Sequence, residues 1–329
     1  MTTAPVLFVT NQVPPDRVGA FAALAERVPL ELVAFGGRSA HATADTGAGT
    51  RIRERDVARI VTGGSWSAVV CGTAGRVALP SAYLGARRAG LPFVLWASLW
   101  AHPRTPAHLL SYAAMRRIYS GADAVVTYGE HVSRYVRERG ARRVHVAPQA
   151  VDARFWSTPG TVDAALAKQP FVALFAARDV PEKGLGVLRA AWAEAGVEGE
   201  LVVAGGDQTP EQLRNLYAAA DVLVMPSLHT RTFREPWGLV ANEAMHQRTA
   251  IIASDQVGAA AGGLVRHERN GLIVPAGDVA GLAAALRRAA GDPPARARWA
   301  AQGAEDVAAY TYDAWAGGFT AALADVGAC

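Results

Sequence analysis

Two acidic and two basic side chains in the second half of this chain have the types and spacing to handle a phosphorylated sugar. Glu235 and Glu243 stand eight residues apart in the run EPWGLVANEAM. On one helix they would lie about 12 Å apart along the axis and roughly 80° apart around it, the span of a sugar, a diphosphate and a ribose laid end to end. A carboxylate accepts two hydrogen bonds at once, which suits the vicinal hydroxyls of a sugar or a ribose. Between the two acids, Trp237, Gly238 and Leu239 would offer unpaired N–H groups to a diphosphate at a helix start that Val240 continues. Arg178 and Lys183 share the connection RDVPEKG, and Lys183 is one of only two lysines among 33 basic residues. Two cations reaching one point also suit a diphosphate. The plain alternatives are two solvated helix glutamates and an exposed turn.

These residues need elements to hold them. Residues 222–225 form an all-apolar run stopped by Pro226, the pattern of a strand buried on both faces, with a loop over 227–234 at its carboxyl end. Pro236 suits a first helical turn, and the next buried strand begins at 250–254. Upstream, 171–176 reads as a strand and 184–192 as a helix with Leu185, Leu188 and Trp192 on one face. A strand over 201–204 runs into Gly205, Gly206 and Asp207, and TPEQLRNLYAAAD follows as a helix carrying Leu213, Leu216 and Tyr217 on one face. Residues 279–290 form a helix that Gly291 and Pro293 stop. In the first half, strand-like runs at 6–10, 32–35, 68–72, 93–97, 124–128 and 144–147 alternate with helix-like segments such as 18–27, 81–89 and 107–119. Strands separated by helices imply parallel sheets covered on both faces, with ligands at the strands' carboxyl ends. The first-half loops to watch are therefore 11–19, 72–75, 98–105 and 129–133.

The run EPWGLVANEAM, then SDQVGAA, then NGLIVP, resembles the donor-binding signature of the retaining glycosyltransferases of family four, the glycosyl transferases group 1. The resemblance implies an α/β protein of the GT-B fold, two Rossmann-like domains with parallel sheets facing a central cleft. It places an acceptor-binding domain over 1–155, a nucleotide-sugar-binding domain over 156–310, and over 311–329 a helix crossing back to the first. It implies a hexosyl- or glycosyltransferase that moves a sugar from a nucleotide-diphosphate sugar to an acceptor hydroxyl with retention of configuration. RDVPEKG is similar to the family's diphosphate-binding loop, so Arg178 and Lys183 would stabilise the departing diphosphate. Glu235 would hold the donor sugar and Glu243 the ribose diol; Gly205, Asp207, Trp237, Gly238, Leu239 and Val240 would complete the donor site. The family's histidine after the fourth strand matches His102 best, with His131 a second candidate. In the first loop, NQVPPDRVG, the resemblance suggests Asn11, Arg17 and Gly19 on the acceptor side. VAPQAVDARFW leads to a linker over 152–169, with Gln149 where the family usually has Asn.

Two departures from that pattern bear on function. After the strand at 201–204 the family normally adds a helix and a strand that carry part of the base site, and here the next helix follows at once. Residues 245–248 read Met-His-Gln-Arg where the family has a small residue and Gly. They motivate one alternative, a non-catalytic, sugar-nucleotide-binding partner of another transferase; a further alternative, within enzymes, is a sugar-nucleotide epimerase or a phosphorolytic enzyme of the same architecture.

Composition bounds the rest. With 329 residues and 51% hydrophobic content, the chain can bury the cores of two domains. No apolar run reaches the length of a membrane span, and no basic segment followed by a hydrophobic one opens the chain, so a soluble, cytoplasmic protein is expected. Cys71 and Cys329 suggest no disulfide framework, and Cys71 reads as a small buried hydrophobe. Residues 1–155 hold 19 arginines and no lysine against 10 carboxylates, a balance of +9, while the remainder carries −5. Such a half could favour an anionic acceptor, a phospholipid surface or nucleic acid; its scattered arginines favour a solvated surface and argue against nucleic acid. The acceptor is open among a lipid, a cell-wall precursor and a small natural product. No metal is expected, since D-x-D is missing, and G-x-x-x-x-G-K-[ST], H-E-x-x-H, C-x-x-C and G-x-S-x-G are missing too.

Overall fold

The computed structural model describes residues 4–36 and 46–329, apart from the side chain of Ala107. The chain divides into two compact units, Met1–Ala150 with Thr311–Cys329, and Val151–Tyr310.

Unit 1 is built on a parallel sheet of seven strands: β1 (Val6–Thr10), β2 (Leu30–Ala34), β3 (Thr50–Arg51), β4 (Ala68–Gly72), β5 (Phe93–Ala97), β6 (Ala124–Thr127) and β7 (Val144–Val146). Their order is β3-β2-β1-β4-β5-β6-β7, so chain direction across the sheet reverses between β1 and β4. Strands β1, β4 and β5 are buried at every residue because helices cover both faces, which is why they read as unbroken apolar runs. Cys71 lies within β4 and is fully buried; burial pushes its thiol pKa up.

The helix Tyr312–Asp325 completes this core. Trp315 packs edge-on to Phe21 at 5.4 Å between centroids, and Phe319 lies 5.4 Å from Phe8. Aromatic residues near the carboxyl end divide between the units: Trp299 belongs to the core of unit 2, while Trp315 and Phe319 fill unit 1.

Unit 2 is a five-stranded parallel sheet: β8 (Val172–Ala176), β9 (Glu200–Ala204), β10 (Val222–Met225), β11 (Ala250–Ser254) and β12 (Gly271–Val274). The order β12-β11-β10-β8-β9 puts the reversal between β8 and β10, with Val222 opposite Ala173 and Leu223 opposite Leu174. Strand β9 forms an edge, with Val203 38% exposed. The helix Pro210–Ala219 leads from it to β10, started by a capping box in which Gln212 N–H donates to Thr209 Oγ1 (3.3 Å) and Thr209 N–H to Gln212 Oε1 (2.8 Å).

The expected linker is more structured than its composition suggests. Asp152 caps a short helix, Ala153–Trp156, whose Trp156 packs 5.8 Å from Tyr217. Gly160 N–H then donates to Gln247 Oε1 (3.0 Å) and Thr161 N–H to Asn215 Oδ1 (2.8 Å), tying this segment to unit 2. Sequence reading also passed over β3 and the helix Val57–Gly63, which are too short to show a period.

Candidate active site

Open parallel sheets gather ligands where strand order reverses, and in unit 2 the loops after β8 and β10 meet there. The β8 loop ends in a single helical turn, Pro181–Lys183, and Gly184 at φ +74°, before the helix Leu185–Ala195. A Cβ on Gly184 would overlap the carbonyl oxygen of Pro226, just past β10, so only glycine lets the two loops approach this closely. Leu228 N–H donates to the Glu182 carbonyl at 2.8 Å and stitches them together. The result is an ion pair between Lys183 Nζ and Glu235 Oε2. Ser227 Oγ donates to the same carboxylate oxygen at 3.3 Å, and Ser254 Oγ donates to the Ser227 carbonyl at 2.6 Å. Phe233 lies with its ring centroid 5.6 Å from the ammonium. Glu235 is 5% exposed, a buried charge that the lysine neutralises.

Glu235 and Glu243 do not share a helix. The helix is Val240–His246 with Leu239 at its N-cap, so Pro236, Trp237 and Gly238 precede it and the spacing of 12 Å and 80° does not hold. Long-range contacts override the local signal: Glu235 pairs as extended backbone with Val257, and Ala259 N–H donates to the Trp237 carbonyl at 2.8 Å. Trp237 is buried and its indole N–H donates to Asn242 Oδ1 (2.8 Å), while Gly238 at φ +93° turns the chain beneath Met225. Glu243 lies in the helix's first turn and accepts from the Tyr217 hydroxyl at 2.7 Å. Burial, reinforced by the neighbouring carboxylate, holds the Tyr217 pKa well above its ordinary value, so the hydroxyl stays a donor and fixes the orientation of Glu243.

Arg178 comes together with the loop after β9. Ala177 N–H donates to the Ala204 carbonyl (3.1 Å), and a Cβ on Gly206, at φ +99°, would stand 3.1 Å from Arg178 Cγ, so the arginine stem lies over that glycine. Arg178 is half-buried and, among the described residues, forms no ion pair. Gly205 and Asp207 are exposed beside it; Gln208 Nε2 donates to Asp207 Oδ1 at 2.6 Å.

In unit 1 the expected loop 11–19 is shorter, because Pro15 opens the helix Pro15–Ala25. Of the three residues expected on the acceptor side, Asn11 alone stays in a loop, after β1 at that sheet's reversal point, its carbonyl accepting from Gly36 N–H at 2.8 Å. Gly19 sits within the helix, where a Cβ would overlap the Tyr312 ring. Arg17, also helical, is buried, bonded to Gln149 Oε1, and stacked 5.7 Å from Trp96 and 5.8 Å from Tyr128. His102 lies in the expected loop with Nε2 2.7 Å from the His108 carbonyl oxygen and its ring 5.0 Å from Tyr112. His131 is not in a loop: it is buried in the first turn of the helix Glu130–Arg137, edge-on to Trp100 at 5.0 Å.

Sequence reading missed Ser227, Phe233 and the pairing of Tyr217 with Glu243. Only Tyr217 carried a signal, since a tyrosine on a buried helix face needs a partner for its hydroxyl.

Residues 194–306 match the family model described as glycosyl transferases group 1. The match covers about a third of the chain, 113 of its 329 residues, and shows what that stretch is similar to. The matched stretch holds Glu235 to Glu243 and the loop after β9, and the Lys183 pairing brings the earlier β8 loop to it. The chain is 36% identical over 121 residues to a D-inositol 3-phosphate glycosyltransferase of Streptomyces bingchenggensis, covering 36% of this chain and 24% of that protein. It is 38% identical over 106 residues to the same-named protein of Streptomyces avermitilis, 31% of this chain and 21% of that one. The chain thus spans less than a quarter of the length of these curated relatives. Among solved structures, Anabaena Alr3699/HepE in complex with UDP and glucose superposes with a TM-score of 0.73 at 16% identity, covering 98% of this chain and 99% of that one. Sucrose-phosphate synthase from Thermosynechococcus elongatus gives 0.71 at 18% identity, with 99% of each chain covered. At these identities the likeness establishes the fold: two parallel-sheet α/β domains of the GT-B class.

Proposed function

We propose that this chain is a retaining glycosyltransferase, taking a hexosyl group from a nucleoside-diphosphate sugar and placing it on an acceptor hydroxyl. The observation that carries this reading is the Lys183 ammonium held at the strand reversal of unit 2, on a loop that also presents the guanidinium of Arg178, which forms no ion pair among the described residues. A structural neighbour solved with UDP and glucose supports the donor class, and the names of the curated relatives support the transfer.

In this reading unit 2 holds the donor and unit 1 the acceptor. The bond from the anomeric carbon to the diphosphate oxygen breaks, the acceptor oxygen bonds to that carbon on the same face, and the acceptor's proton passes to the departing phosphate. Lys183 and Arg178 stabilise the charge that develops on the leaving group. Glu235 accepts from the sugar's hydroxyls, and Glu243, oriented by Tyr217, accepts from the ribose diol. Asp207 and Gly205 border the base. The reaction as written needs no metal or organic cofactor.

Thermal-shift screening of the wild type and of Glu243→Ala against sugar nucleotides and nucleoside diphosphates tests the donor assignment, each shift measured from that protein's own midpoint. One nucleotide series should stabilise the wild type and lose its effect in the variant. No shift with any nucleotide would refute it. With the donor known, NMR of the product's anomeric proton tests retention, and inversion would refute that part.

A further inference from the structure

The Pro106–Gly121 helix of unit 1 keeps most of its apolar surface in water. Among its described residues the buried ones are Ile118 and Tyr119 in the last turn, at 3% and 1% exposure. Leu109 is 63% exposed, Leu110 86% and Tyr112 37%, with Ala113 and Ala114 exposed beside them. Two adjacent leucines this open on a helix lose the main free-energy gain of folding, so their placement calls for a surface that covers them.

Charge says which surface. Arg116 and Arg117 lie seven residues beyond Leu109 and Leu110, within about 20° of them around the helix, so they share the outward face. Arg104 precedes the helix, and among the described residues none of these three arginines is in an ion pair. The helix carries no Asp or Glu, and the whole stretch 57–122 holds seven arginines and not one carboxylate. A second copy of this face would bring like charges together. An anionic bilayer offers what the face lacks, phosphates for the arginines and a headgroup–acyl boundary for the leucines. Arginine's long stem lets the charge reach headgroups while the leucines sit deeper.

We propose that the Pro106–Gly121 helix docks this chain on an anionic lipid surface, with Leu109 and Leu110 inserted and Arg104, Arg116 and Arg117 paired with lipid phosphates. The helix lies along the surface; no helix among the described residues is long and apolar enough to cross a membrane. This proposal is independent of donor chemistry, because its readout is lipid binding alone.

Co-sedimentation with phosphatidylcholine vesicles, with and without phosphatidylglycerol, tests it. The wild type should sediment with the anionic vesicles only and be released by high salt. Arg116→Gln/Arg117→Gln should weaken binding about thirty-fold, and Leu110→Glu should abolish it with an unchanged melting temperature, since that side chain is already in solvent. The proposal is overturned by absence of binding to anionic vesicles, by equal binding to both kinds, or by binding that survives loss of the two arginines. It is also overturned if sedimentation velocity shows a dimer that Leu110→Glu converts to monomer while vesicles capture neither protein; the face would then belong to a second copy.

Discussion

Replacing Lys183 with methionine keeps the stem and removes the charge, leaving Glu235 as a buried carboxylate. The two side chains are 17% and 6% exposed. Removing one member of a fully buried pair costs about 3 to 5 kcal/mol, because the remaining charge is left desolvated. Here the lysine keeps some contact with water, and Ser227 still donates to Glu235, so about 2 to 3 kcal/mol is expected. For a unit of this size that lowers the melting temperature by about 5 to 10 °C. Glu235→Gln alone should cost about 1 kcal/mol, since the stranded ammonium is the more exposed partner, and Lys183→Met/Glu235→Gln should lie within about 1 kcal/mol of the wild type. Urea denaturation of the four proteins closes the cycle. The double variant also separates structure from function: it should be stable yet show no shift with nucleoside diphosphates. The reasoning is refuted if Lys183→Met is as stable as the wild type, or if the double variant loses the sum of the two single losses. It is refuted equally if the stable double variant still binds diphosphates like the wild type.

Gly184→Ala should destabilise unit 2 by roughly 2 to 4 kcal/mol in urea titrations, since φ +74° and the Pro226 carbonyl both oppose a Cβ, and it should weaken nucleotide binding by displacing Lys183. Tyr217→Phe removes the donor to Glu243 and should lower stability by about 1 to 2 kcal/mol and reduce nucleotide-induced thermal shifts; full retention of both would show that the hydrogen bond does not position Glu243. Burial holds the His246 pKa below its ordinary 6.5, so the unfolded chain binds a proton that the native state refuses. The stability this contributes is complete above pH 6.5 and is lost as pH falls through the lowered value; thermal melts from about pH 7 to pH 5 should show a decline that His246→Asn flattens.

The strands were legible because sheets covered on both faces demand apolar runs, and glycine or proline marked their ends. Lys183 was legible from its turn and its rarity. Its partner was not, since 52 residues separate Lys183 from Glu235 and only the adjacency of β8 and β10 joins them. The start of the helix after Glu235 was misread for the same reason. Pro236 satisfies every local rule for a first turn, yet pairing with Val257 keeps that backbone extended. In unit 1 the error ran the other way. Pro14 and Pro15 look like loop, but proline also opens helices, and the chain becomes helical at Pro15, carrying Arg17 and Gly19 with it. Gly19 answers to Tyr312, a contact no local pattern encodes.

The division of the chain has a consequence for the order of folding during synthesis. All the residues of unit 2, Val151–Tyr310, are made before Thr311–Cys329 supplies the last helix of unit 1. Trp315 and Phe319, both fully buried, are therefore missing from the first sheet while the later unit already has its full set of strands. The earlier-made unit is the later one to finish. Until the carboxyl-terminal helix arrives, Phe8, Phe21 and Trp96 lack the aromatic partners that cover them, so a nascent or interrupted chain exposes a sticky aromatic face beside a unit that can already fold.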